Sequence, residues 1–178
     1  MTKEENILIT HWKKVSRYPD FAWINKLQKE YPKAEVYLVG GAIRDILLKE
    51  KDVRDYDFVV RNISRKKFET FIKKQGAVNL VGKTFGVYKC KHPKAKLPET
   101  IDIAFPRTES KKGIQGKYRD FLVDVDPNTS IEEDLARRDI TINAIAWDVH
   151  TKNIIDPFKG LRDIKKKTIN TVGVPKRR

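Results

Sequence analysis

Residues 36 to 60, VYLVGGAIRDILLKEKDVRDYDFVV, constrain the fold more tightly than any other stretch. Two short apolar runs flank a glycine pair and an amphipathic segment, which predicts a strand (Glu35 to Val39), a helix (about Ala42 to Lys49) and a second strand (Tyr56 to Val60). Gly40 and Gly41 fall between the first strand and the helix. Without Cβ atoms their backbone N–H groups can approach a ligand, and a helix N-terminus favours an anion. Arg44, one turn on, can point its guanidinium at the same anion, while Ile43, Ile46 and Leu47 turn inward. A tight strand-to-helix turn with a surface arginine accounts for the same residues without a ligand.

Asp55 and Asp57 flank Tyr56 at the start of the second strand. Residues two apart on a strand share a face, with Cα atoms ~7 Å apart, so the two carboxylates can converge on one cation. Mg²⁺ suits such a site, because it takes oxygen ligands and is commonly held by one or two carboxylates plus substrate phosphates. Asp102, in the apolar run TIDIAF, is out of pattern on a buried strand, and as a third carboxylate it would allow a second ion. A solvated strand start is the alternative for DYD.

The remaining segments point to an α+β fold, a mixed and largely antiparallel sheet with helices packed on it. Residues 10 to 31 carry Trp12, Val15, Phe21, Trp23, Ile24 and Leu27, expected as one or two short helices broken near Pro19. A helical stretch near Ser64 to Gln75 precedes two strands, FGVYKC and ETIDIAF, joined as a hairpin through KHPKAKLP. Residues 107 to 129 mix charge with glycine and are expected as a mobile loop. Ser130 and Glu133 form a capping box ahead of a helix, and AIAWDV and IIDPF form a second hairpin across HTKN. In EEDLARRDITINAI, Arg137 and Arg138 are expected on a helix and about 100° apart, so that Arg138 can serve a triphosphate while Arg137 serves the surface. Asp139 and Asn143, four apart, can bond a helix end or a sugar hydroxyl.

With 38 lysines and arginines against 24 aspartates and glutamates among 178 residues, the net charge is +14, and a polyanion is the expected partner. No apolar run approaches the ~20 residues of a membrane span, and the first residues lack the apolar centre of a signal peptide, so an intracellular, cytoplasmic protein is expected. Cys90 stands alone and is read as a strand residue. His11, His92 and His150 fall in segments read as surface helix, loop or turn and receive no role.

The pieces LVGGAIRDILL, DYDFVV, IDIAFPRTESKKG, EEDLARRDITINAIAWD and IIDPFKGLRDIKKKTINTVG, in this order over about residues 36 to 173, resemble the catalytic head of the class II tRNA nucleotidyltransferases (CCA-adding enzymes) and bacterial poly(A) polymerases. The resemblance implies a polymerase β-like head in which Asp55 and Asp57 are the metal-binding DxD and Asp102 is the third acidic strand residue. It assigns Gly40, Gly41 and Arg44 to the nucleotide-phosphate turn, and Arg138 to the incoming nucleotide. Asp139 and Asn143 take the motif's remaining polar positions, and residues 107 to 120 match a flexible loop that helps the site close. The implied reaction is Mg²⁺-dependent transfer of CMP or AMP from CTP or ATP to an RNA 3′ end, most readily that of tRNA. Full members continue into a helical neck, body and tail. Residues 1–34 are therefore expected as an N-terminal helical extension, 35–173 as the head, and 174–178 as a basic tail or the start of a missing neck. The basic runs KKK (165 to 167) and KRR (176 to 178) are expected either to hold RNA phosphates or to be solvated. Three alternatives stay open: poly(A) polymerase-like transfer, transfer to another acceptor such as a protein hydroxyl, and a non-catalytic basic RNA-binding module.

Overall fold

The computed structural model describes residues 1–81, 86–111 and 121–173. Among them the strands are β1 (Glu35–Val39), β2 (Asp57–Arg61), β3 (Ala77–Val81), β4 (Val87–Lys91), β5 (Ile101–Ala104), β6 (Arg107–Lys111), β7 (Phe121–Val125), β8 (Ala146–Asp148) and β9 (Ile154–Ile155). The helices are α1 (Lys3–Val15), α2 (Ala22–Glu30), α3 (Gly41–Leu47), α4 (Arg65–Ile72), α5 (Ile131–Ala136) and α6 (Gly160–Lys166), with 3₁₀ turns at Pro19–Phe21 and Thr141–Asn143. Seven strands form one sheet in the order β3-β4-β5-β2-β1-β8-β9, and β6 pairs with β7 apart from it. The large sheet is antiparallel except where β2 and β5 run parallel. It is the mixed, mostly antiparallel α+β sheet that the sequence predicts.

Strand alternation divides the molecule into two layers. Val36 and Leu38 of β1, Phe58 and Val60 of β2, Ile101 and Ile103 of β5 and Trp147 of β8 join one large core with α1, α2 and α4. Trp12 of α1 packs against its aromatics, with ring centroids 5.1 Å from Phe21, 5.8 Å from Trp147 and 6.2 Å from Phe58. Burying an aromatic of this size stabilises by roughly 2–3 kcal/mol. Tyr37, Val39 and Val59 face the other way, into a smaller cluster with Ile131, Leu135 and Ala144. By the same alternation Asp57 and Asp102 project onto this second, thinly covered side. That is why an acidic residue sits in an otherwise apolar strand.

Four local expectations need correction. Helix α1 begins at Lys3, where Thr2 and Glu5 form a capping box, rather than near residue 10. AVNLV, not assigned to any element in the sequence, is the edge strand β3, reached after Gly76 turns the chain at φ 159°. The flanks of the segment expected as a loop at 107 to 129 are strands: Arg107 through Lys111 pairs antiparallel with Phe121 through Val125. The β-prone run Phe121 to Val123 outweighs the charge around it. Residues 112–120, the middle of the expected flexible loop, lie outside the described residues, as does the KRR run. Finally, α5 stops at Ala136, so Arg137 is its C-cap and Arg138 follows in a bend, and the two arginines are not neighbours on a helix.

Candidate active site

The site is assembled at the ends of β1, β2 and β5. Asp57 opens β2, faces Val39 across the antiparallel ladder and is the register partner of Asp102 on β5. Adjacent strands are ~4.8 Å apart, so two carboxylates on one face at paired positions crowd each other. Burial and the Asp102 charge push the Asp57 carboxyl up to about 6, with Asp55 adding to the rise and Arg138 and Lys89 opposing it. Asp55 itself is exposed and precedes the strand, and it acts on Asp57 by charge.

The phosphate turn lies against the same carboxylate. Gly40 adopts φ 74° and ψ −141°, a conformation that side chains rarely tolerate. A Cβ there would lie 3.1 Å from Arg138 Nη1 and 3.5 Å from Asp57 Oδ2, so the missing side chain lets the cation and the carboxylate close over the backbone. A Cβ on Gly41 would meet the Arg44 guanidinium at 3.4 Å, which places Arg44 folded back over the turn. Arg44 donates from Nε to Asp45 Oδ1 at 2.8 Å and from Nη1 to Asn143 Oδ1 at 2.8 Å.

Arg138 is held by Asp134, which is fully buried. Asp134 Oδ2 accepts from Arg138 Nη2 at 3.3 Å, while Oδ1 accepts from Arg137 Nη2 at 2.7 Å and from the backbone N–H of Arg107 at 3.2 Å. Burial lowers the guanidinium of Arg138 from its ordinary value, against the attraction of Asp134 and Asp57. Gly40, Gly41, Arg44, Arg138 and Asn143 therefore converge with Asp57 and Asp102. Asp139 is exposed, and its backbone oxygen accepts from Val172 N–H at 3.1 Å.

Sequence reasoning passed over three contributors. Lys89 of β4 is the register partner of Asp102 and donates to both of its carboxylate oxygens, at 3.0 and 2.8 Å. Only the strand register reveals it. Asp134 had a readable signal in its three- and four-residue spacing to Arg137 and Arg138. His11, given no role, shares a 2.8 Å hydrogen bond between Nε2 and the Tyr56 hydroxyl, and so ties α1 to the residue between the two aspartates.

Among the described residues, no group of three or more His, Cys, Asp and Glu side chains is gathered as a metal cluster. The donor chemistry nevertheless fits a divalent ion: two hard carboxylates stand at paired register positions on adjacent strands, and one or two carboxylates plus phosphates suffice for such an ion.

A sheet that sets paired carboxylates beside a glycine turn and two converging arginines defines a nucleotidyltransferase head. The chain belongs to the family described as the poly A polymerase head domain, whose model matches residues 36–170. It is 44% identical over 139 residues to the multifunctional CCA protein of Stenotrophomonas maltophilia, covering 78% of this chain and 31% of that protein. A relative of the same description from Pseudoalteromonas atlantica is 44% identical over 138 residues, covering 78% and 30%. The chain thus spans about a third of the length of the curated relatives it matches. The Bacillus stearothermophilus CCA-adding enzyme in complex with CTP superposes with a TM-score of 0.62 at 30% identity, over 85% of this chain and 32% of that one. The Thermotoga maritima CCA-adding enzyme complexed with tRNA gives 0.59 at 30% identity, over 83% and 30%. Nucleotidyltransferases of this family generally use a divalent metal. Among the described residues no helix is long and apolar enough to cross a membrane.

Proposed function

We propose that this chain is the head of a Mg²⁺-dependent, cytoplasmic nucleotidyltransferase that moves CMP or AMP from CTP or ATP onto an RNA 3′ end, with tRNA lacking a complete CCA end as acceptor. The observation that carries the reading is the register pairing of Asp57 with Asp102 immediately beside the Gly40 turn. Residues 35–173 act as the head and residues 1–34 as a helical extension, a division supported by a family match that begins at residue 36.

In the reaction the RNA 3′ oxygen bonds to the α-phosphorus and gives up its proton to solvent, while the α–β phosphoanhydride bond breaks and pyrophosphate leaves. Asp57 and Asp102, with Asp55 at the rim, would hold Mg²⁺, which when bound lowers the pKa of the attacking hydroxyl and steadies the leaving group. The backbone of Gly41 and the guanidiniums of Arg44 and Arg138 neutralise the triphosphate, whose charge would otherwise repel the nucleophile. Asn143 and Asp134 fix those two guanidiniums in place before substrate arrives, so little reorganisation is left for the reaction itself. Lys165 and Lys166, in the last turn of α6, suit phosphates of the acceptor without reading its sequence.

The test is incubation with Mg²⁺, labelled CTP or ATP, and three acceptors: tRNA without its CCA end, an oligo(A), and protein alone. Label on the truncated tRNA supports the reading. Label on oligo(A) alone or on protein alone moves the acceptor elsewhere, and salt-sensitive RNA binding with no transfer to any acceptor leaves a binding module.

A further inference from the structure

We infer that Lys89 is the resident counter-ion of the acidic pair and that a divalent cation enters by displacing it from Asp102. The inference rests on the reading that Asp57 and Asp102 hold that cation. Lys89 lies directly across the β4–β5 ladder from Asp102, and its ammonium engages both carboxylate oxygens, at 3.0 and 2.8 Å. A metal ion needs those same oxygen lone pairs.

The pair is also built to open. The Lys89 side chain is 42% exposed and that of Asp102 is 28% exposed, so the flexible four-carbon stem can swing its head to water without breaking the core. Exposed ion pairs of this kind are weak enough to exchange. A bare divalent cation arriving at Asp102 meets an ammonium that both blocks the ligands and repels it. A cation arriving with a triphosphate brings anionic oxygens that accept the displaced ammonium. Lys89 therefore makes metal loading depend on nucleotide, because its ammonium offsets the Asp102 charge until both are present. It is a positioning residue, since it acts through Asp102.

The experiment is titration of the 178-residue chain with Mn²⁺, following the electron paramagnetic resonance signal of free Mn²⁺, with and without CTP and in the absence of RNA, so that no turnover is needed. Lys89→Met and Lys89→Gln should bind bare Mn²⁺ roughly tenfold or more tightly than wild type, because the competing charge is gone. Addition of CTP should then strengthen Mn²⁺ binding less in these variants than in wild type. Lys89→Arg, which keeps the charge, should behave as wild type. Equal bare-ion affinity in wild type and both neutral variants overturns the role of Lys89. Failure of every variant to bind Mn²⁺, with CTP or without, overturns the metal reading beneath it.

Discussion

Arg44 Nη1 donates to the side-chain oxygen of Asn143 at 2.8 Å, joining α3 to a turn 99 residues further along the chain. The same guanidinium packs over Gly41, so Asn143 fixes the angle at which Arg44 lies over the turn. Charge-assisted hydrogen bonds contribute about 1.5–3 kcal/mol, so Arg44→Ala should weaken CTP or ATP binding by roughly 10–100-fold. Asn143→Ala should cost less, about threefold to tenfold, because the bond to Asp45 remains. Equilibrium nucleotide binding checks both, and wild-type affinity in Arg44→Ala would put the triphosphate elsewhere.

Gly40→Ala should damage both stability and function. Its φ of 74° strains any side chain, at about 1–3 kcal/mol, and the new Cβ would wedge between Arg138 and Asp57. A lowered thermal midpoint together with lost nucleotide binding is the expected pair of results. A variant with unchanged binding would mean that the approach of Arg138 to Asp57 is not needed for the nucleotide.

Asp57 predicts a pH signature of the metal-free chain. Its carboxyl is pushed from 3.8 to about 6, so between those values the folded state binds more protons than the unfolded state and this residue's contribution to stability falls as pH rises. Asp57→Asn removes that dependence. The variant should be more stable than wild type at pH 7, by about 3 kcal/mol, and the difference should shrink toward zero as pH falls below 4. Denaturant unfolding at several pH values measures it, and a constant offset between the two proteins would contradict the assignment. Saturating Mn²⁺ should reverse the order at pH 7 by binding only wild type.

Asp134→Ala should be the most destabilising of these substitutions. It leaves two largely buried guanidiniums, 17% and 18% exposed, without their shared carboxylate and removes the acceptor of the Arg107 N–H. Breaking such a buried arrangement by deleting one partner costs about 3–5 kcal/mol. Urea unfolding gives the number. A loss below about 1 kcal/mol would show that Arg137 and Arg138 find other partners with little difficulty.

The strands and turns that frame the site were legible because their signals are local. β1, α3 and β2 follow from alternation, a glycine pair and helical spacing, and the Ser130 capping box appears as its residues predict. What escaped depends on partners distant in sequence. Lys89 looks like any strand lysine until β4 and β5 are in register, and Asp55 looks like the twin of Asp57 until the strand is seen to start one residue after Tyr56. The β6–β7 pair sits in a charged stretch whose composition resembles a loop, and the ladder that orders it joins residues up to 18 positions apart, a pairing that composition does not report. Arg138 lies in a bend and not on the helix that its spacing suggests, because helix α5 ends at Ala136.

The most direct measurement of the central relationship is anomalous scattering from crystals soaked in Mn²⁺ and a non-hydrolysable CTP analogue. The expected map has a peak between the carboxylates of Asp57 and Asp102, with the Lys89 ammonium displaced and the analogue's phosphates against Gly41, Arg44 and Arg138. A peak elsewhere, or a nucleotide bound with Lys89 still on both Asp102 oxygens and no metal beside Asp57, would contradict it.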